Sequence, residues 1–230
     1  MRCCQALFLM ATLLFAAAGL QAQQAPLDIK DSDIDVRLEF VESPRIGADN
    51  VAPMPSSGLS NQKWLEILVT YTMPLRIDQR TKQVEWLDEM SITAKVIVPA
   101  EYMGSKVKAI ITGKQTFQSV PCDGKKHHAS LFVSPVILSR YTPADFKLNK
   151  SAAKDIPAIA IFMTQQQKAI GTGVQIPRGV SLQQTAALFK EAETSLGVLK
   201  LENSILPREQ TPWAHLDFDS FDMPKPAGSK

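Results

Sequence analysis

From Met90 to Val98 the chain reads Met-Ser-Ile-Thr-Ala-Lys-Val-Ile-Val, with Met90, Ile92, Ala94, Val96 and Val98 on one parity and Ser91, Thr93 and Lys95 on the other. Side chains of a strand point alternately to its two faces, so this run specifies a half-buried strand with one face in a core. Pro99 has no N–H to give a ladder, and the strand is expected to end there. A second run, 106–120, repeats the alternation through Val107, Ala109 and Ile111, with Gly113 marking a bulge or bend. Asp123-Gly124 then supplies a hairpin turn, because glycine accepts the positive φ such turns need, and 128–134 returns as a third run. Runs joined this closely predict an antiparallel meander.

The same period recurs elsewhere. Ile34, Val36, Leu38 and Phe40 give a first strand, and Leu65, Ile67, Val69 and Tyr71 a second whose other face also carries Trp64 and Leu68, as a central strand would. Residues 135–141 read as a short apolar strand, 156–163 as a buried one, and 215–221 as a last one. Gln165-Gln166-Gln167 reads as a solvated turn. One helix is expected over 181–196: Leu182, Ala186, Phe189, Ala192 and Leu196 recur at helical spacing, Ser181 and Gln184 form a capping box, and Gly197 suits the C-terminal cap. The long segment 42–61 holds three prolines and two glycines and is expected to be a surface loop, functional or mobile.

Composition settles which classes to set aside. Arg2, the apolar run Ala6–Leu20 and the small residue Ala22 make residues 1–22 read as a secretory signal peptide. Residues 23–33 then form a flexible lead, 34–222 one β-sandwich domain, and 223–230 a disordered tail. No later stretch reaches the roughly 18–20 apolar residues of a membrane span. Without Arg2, 25 basic residues become 24 against 23 acidic, a net of +1, which gives no reason to expect nucleic acid. Cys3 and Cys4 leave with the signal, so Cys122 has no internal partner; it is a bystander or an intermolecular disulfide. The mature protein is expected in the periplasm, at the outer membrane or secreted, held together by core burial alone.

Chemistry is hard to find in the residues. Cys122 with His127 or His128 has zinc-type ligands, but adjacent histidines on a strand face opposite ways, and a third ligand would have to come from afar, such as His215. Surface histidines near a turn are the favoured reading. Asp217, Asp219 and Asp222 alternate with apolar residues as an exposed strand face does, rather than bending round calcium. Gly171-Thr172-Gly173 lacks the third glycine and helix start of a phosphate loop and reads as a turn or bulge. Glu85, Asp88 and Glu89 read as a solvated edge, and there is no Gly-x-Ser-x-Gly elbow. No cofactor, metal or catalytic residue is assigned, and the chain is expected not to be an enzyme. Trp64 and Trp86 read as core; Trp213, after Pro212 in a loop, reads as the exposed one.

Trp86-Leu-Asp-Glu with the strand after it, Val120-Pro-Cys-Asp-Gly-Lys-Lys-His-His and Leu131-Phe-Val-Ser-Pro135 together resemble a family of small exported Ig-like proteins encoded with type IV pilus machinery in Verrucomicrobia such as Akkermansia. The resemblance would cover about residues 34–220 and rests on structural motifs. It implies an antiparallel immunoglobulin-like β-sandwich, here with one docked α-helix, acting as a protein-interaction module in pilus-like assembly or surface adhesion. The partners would be envelope or surface proteins, possible pilus components among them, through a sheet edge or the 42–61 loop. The alternative is a glycan partner: a carbohydrate-binding module, which needs a row of exposed aromatics such as Trp213.

Overall fold

The computed structural model describes residues 27–44, 63–149, 153, 156–175, 181–214, 216 and 221–222. Its strands are β1 (Ile34–Glu42), β2 (Lys63–Thr72), β3 (Trp86–Leu87), β4 (Met90–Tyr102), β5 (Ser105–Phe117), β6 (Val120–Pro121), β7 (Lys126–Val133), β8 (Ala158–Gln165), β9 (Lys168–Gln175), β10 (Val198–Leu201) and β11 (Ile205–Pro207). Two helices accompany them, α1 (Pro135–Tyr141) and α2 (Leu182–Thr194). The fold is mostly β. One sheet has the order β1-β2-β7-β11, a second β10-β5-β4-β8-β9, and β3 pairs only with β6. Pairing is antiparallel throughout except for β10 beside β5, so the second sheet is mixed.

The alternation read from sequence decides which faces meet. Leu65, Ile67, Val69, Leu131 and Val133 of the first sheet share one buried cluster with Ile92, Ala94, Val96, Ile111, Ile161 and Met163 of the second. A smaller cluster lies on the outer face of the second sheet, where Ala192 of α2, with Leu188 and Phe189 beside it, packs on Ile97, Ile110 and Ala158. The capping box of α2 is made in both directions: Gln184 N–H donates to Ser181 Oγ and Ser181 N–H to Gln184 Oε1.

Glycines set how closely the two sheets approach at their sides. Gly113 pairs with Ala94 in unbroken register, so it is not a bulge. A Cβ there would fall 2.5 Å from Ile205 Cβ and closer still to the Ile205 carbonyl oxygen. It is the place where β11 crosses β5, fixed by Ser204 N–H donating to Thr112 O at 2.8 Å. On the opposite side Gly171 and Gly173 lie within β9, and a Cβ on Gly173 would meet Ile34 Cγ2 at 2.5 Å. The Gly-Thr-Gly run is therefore a close-packing device for β1 against β9: it lies within the strand rather than in a turn, directly after the register shift that leaves Ile170 as the extra residue opposite β8.

Several expectations need correcting. Residues 135–141 form a helix: Ser134 caps it by accepting from the Ile137 N–H and Pro135 opens it, a pairing that favours helix starts over strands. β4 runs through Pro99 to Tyr102. Beyond Ile97 it has lost β8 and continues as a two-stranded ribbon with β5, whose open edge tolerates a missing N–H. That ribbon is closed by Met103 and Gly104, both at positive φ. The meander is only half realised. β4 and β5 pair, but β7 pairs with β2 and β11 in the other sheet. Gly124 does take the turn conformation (φ +74°), yet β6 pairs with β3 on the way and leads the chain across to the other layer. Helix α2 ends at Thr194, so Leu196 is exposed and Gly197 does not cap it; its inward stripe is Thr185 and Ala192, both buried, with Leu188 and Phe189 half-buried. The region 215–221 lies mostly outside the described residues, as do 1–22, 45–62 and 223–230.

Candidate functional site

The segment 76–83 reads from its composition as a charged connection, but it folds back on itself. The Asp78 carboxylate accepts from the amides of Arg80 (2.6 Å) and Thr81 (3.1 Å), which holds its pKa below the usual carboxylate range. Asp78 N–H donates to Gln83 O, and Ile77 pairs with Val84. A closed set of backbone bonds then joins three strands: Glu85 N–H to Arg76 O, Arg76 N–H to Cys122 O, and Cys122 N–H to Glu85 O. The pairing of Ile77 with Val84 sets Leu75 opposite Trp86, and residues opposite one another share a face. Leu75, Ile77, Val84 and Trp86 thus lie on one side of a small sheet at the end of the molecule. Cys122 lies on the other side, in the core, its thiol pushed up by burial against the opposing charge of Arg76.

That apolar side faces solvent. Trp86 is 62% exposed, Leu75 62% and Ile77 40%. Arg80, Lys82, Asp88 and Glu89, close to it along the chain, are all exposed. An apolar patch with a charged border is the usual anatomy of a protein contact surface. Trp86 is therefore the outward tryptophan, not a core residue.

Trp213 lies differently. It is half-buried, stacked on Phe132 (centroids 4.6 Å apart, planes 11° apart) and edge-on to Trp64 at 5.5 Å. Trp64 in turn donates from Nε1 to Ser43 Oγ at 2.8 Å. Trp213 thus lies on the outer face of the first sheet, and the Arg208 guanidinium lies 4.2 Å from the centre of the Phe221 ring. Glu66 lies on the same face opposite Glu39. Burial raises its pKa, opposed by the hydrogen bond from Ser130 and reinforced by the Glu39 charge.

The other sequence candidates separate. His127 and His128 do face opposite ways. His128 Nδ1 meets Thr70 Oγ1 at 3.1 Å, whereas His127 turns inward, 9% exposed. Its Nδ1 lies 2.7 Å from Asp222 Oδ1 and its Nε2 3.1 Å from Asp123 Oδ1. Tyr71 OH donates to the other oxygen of Asp222, and the phenol ring stacks on the imidazole at 5.6 Å. Burial pushes His127 down, but the hydrogen bonds and charges of Asp222 and then Asp123 outweigh it and raise its pKa. The two ring nitrogens are each taken by a separate carboxylate, on opposite edges of the ring, so they offer no shared point to a metal. Among the described residues no group of three such side chains converges on one. Asp217, Asp219 and His215 lie outside the described residues. A cleft of about 300 Å³ beneath the end of α2 is lined by Lys95, Lys200 and Glu193. Both lysines there are engaged by Glu193, Lys95 with its carboxylate at 2.5 Å and Lys200 with its carbonyl at 2.7 Å.

Both sheets, the covering helix and the exposed apolar end define a mostly β domain that carries a solvent-facing apolar patch. The chain belongs to the family whose model matches residues 20–227. Its fold is also that of a crystal structure of a protein from Akkermansia muciniphila, with a TM-score of 0.58 and 13% identity over 84% of this chain and 94% of the other. The resemblance to a Verrucomicrobial family is thus met at the level of family and fold. No curated protein matches the chain. Among the described residues no helix is long and apolar enough to cross a membrane.

Proposed function

We propose that this chain is an exported, non-enzymatic protein-interaction module with an immunoglobulin-like two-sheet body, working in a pilus-like or outer-surface assembly. The observation that carries the reading is the solvent-facing row Leu75, Ile77 and Trp86. Three large apolar side chains side by side on a hydrogen-bonded sheet lose free energy in water and regain it when another protein covers them. The pilus setting rests on the resemblance of residues 86–135 to the Verrucomicrobial family, and export on the apolar leader at 1–22. The partner is another envelope or surface protein. The 42–61 segment is a second contact candidate: Glu42 and Lys63 at its two ends are joined by an ion pair at 2.6 Å, which brings its base to one point.

The carbohydrate-binding alternative is less well supported. It needs aromatic faces in a row, and of the three tryptophans only Trp86 is open, Trp213 being engaged with Phe132 and Trp64. The test is capture from an envelope extract with the mature wild-type chain and with Trp86→Ser. A specific protein recovered by the first and lost with the second is the expected result. Polysaccharide alone, or a protein recovered equally by both, overturns the reading.

A further inference from the structure

The hydrogen bonds around His127 demand a charge state. Carboxylates of ionised aspartates only accept, so ring nitrogens at 2.7 and 3.1 Å from Asp222 and Asp123 must both be donors. Only imidazolium has two N–H groups. A neutral ring would present a lone pair to one carboxylate in a place almost closed to water. The two carboxylates are not equally held. Asp123 belongs to the same turn, accepts from the Lys125 amide at 2.9 Å, and has the Lys125 ammonium at 3.9 Å. Asp222 arrives from the far end of the chain. Among the described residues its other ties are the phenol of Tyr71 and a long backbone bond of 3.4 Å to His128 O, with Phe221 beside it resting on Arg208.

We propose that His127 is a pH-operated latch: as imidazolium it fastens Phe221 and Asp222 to the β2–β7 end of the molecule, and it releases them on losing its second proton. The groups facing it are Tyr71 from β2, Asp123 and Lys125 from the turn before β7, and Asp222 from the C-terminal segment. Tyr71, pushed well up by burial and then by the Asp222 charge, stays a neutral donor through the range. Asp123 stays ionised: burial acts to raise it, but the Lys125 amide and His127 together hold it below its usual range. With charged His127 and Lys125, the two carboxylates are balanced. Once His127 is neutral, one negative charge is left over, and the less anchored carboxylate leaves. The sign follows: the pKa is raised in the folded state, so the latch is closed below the ordinary histidine value of about 6.5 and opens as pH rises through the raised value.

The test is NMR of the full mature chain between about pH 5 and about pH 9. The wild type is compared with Asp222→Asn, whose side-chain oxygen still accepts from Tyr71, and with His127→Gln, which donates only through its amide. The His127 ring should titrate above 6.5 in the wild type, with the amides of Phe221 and Asp222 shifting at the same midpoint. Their hydrogen exchange, corrected for intrinsic rates, should speed up about tenfold across it, the equivalent of one charge-assisted bond. Asp222→Asn should lower the histidine midpoint and abolish the coupled shift, and His127→Gln should exchange fast at every pH. Amides at 221–222 that ignore the His127 titration, or a ring that titrates at or below 6.5, overturn the proposal.

Discussion

Replacing Gly113 by alanine adds a single methyl group, and the structure says where it goes. The new Cβ lies 2.5 Å from Ile205 Cβ and closer still to the Ile205 carbonyl. The obstacle is backbone rather than the end of a flexible side chain. Relief requires β11 to move, which strains its pairing with Val133, Phe132 and Leu131 and the bond from Ser204 to Thr112. Overpacking of this kind costs about 1–3 kcal/mol, and the rigid neighbour places Gly113→Ala at the upper end. The stiffer unfolded chain offsets only about 0.4–1 kcal/mol. A net loss of about 2 kcal/mol lowers Tm by roughly 4–8 °C in a domain of this size. Gly197→Ala is the control: it has only Ser195 Oγ near, at 3.8 Å, and an ordinary backbone conformation, so its Tm should stay within about 2 °C. Thermal unfolding followed by circular dichroism of the mature chain makes the comparison. A Gly113→Ala protein as stable as wild type, or a Gly197→Ala protein equally damaged, refutes the claim that Gly113 sets the approach of β11 to β5.

Other outcomes follow from the same structure. Trp213→Ala should cost about 2 kcal/mol by urea denaturation, since a half-buried stack on Phe132 is lost, without altering capture of a partner through Trp86. Ser181→Ala removes the cap of α2 and should cost about 1 kcal/mol, read as a lower urea midpoint with unchanged slope. Glu66→Gln keeps the acceptor for Ser130 while removing a charge that burial and Glu39 oppose. Because the folded-state pKa is raised, the wild type loses stability as pH rises through that window, so the glutamine variant should melt higher at about pH 7 and equally at about pH 4. Parallel thermal melts at the two pH values check it.

What was legible in the sequence is what depends on period two. The faces of β1, β2 and β4 follow from alternation, β8 from its continuous apolar run, and Ser181 with Gln184 announces its helix through local bonds alone. Pairing across distance is another matter. Asp123-Gly124 signals a turn but not which sheet the chain enters next, since that depends on β3 and β6 meeting. Glycines 113, 171 and 173 read as turn or bulge residues because sequence shows their freedom and hides the strand that crosses them. The Ser134-Pro135 helix start was there to be read and was outweighed by the apolar run behind it. At the candidate surface, Leu75, Ile77, Val84 and Trp86 alternate on either side of a polar turn, a hairpin pattern masked by the charges between. Asp222 reaching His127 has no local signal at all.

The most direct measurement of the functional reading is amide hydrogen exchange on the mature chain, alone and with the protein recovered in the capture test. The account predicts slower exchange over residues 74–87, centred on the row Leu75, Ile77 and Trp86. Protection confined to other surfaces, with residues 74–87 exchanging as in the free protein, would contradict it.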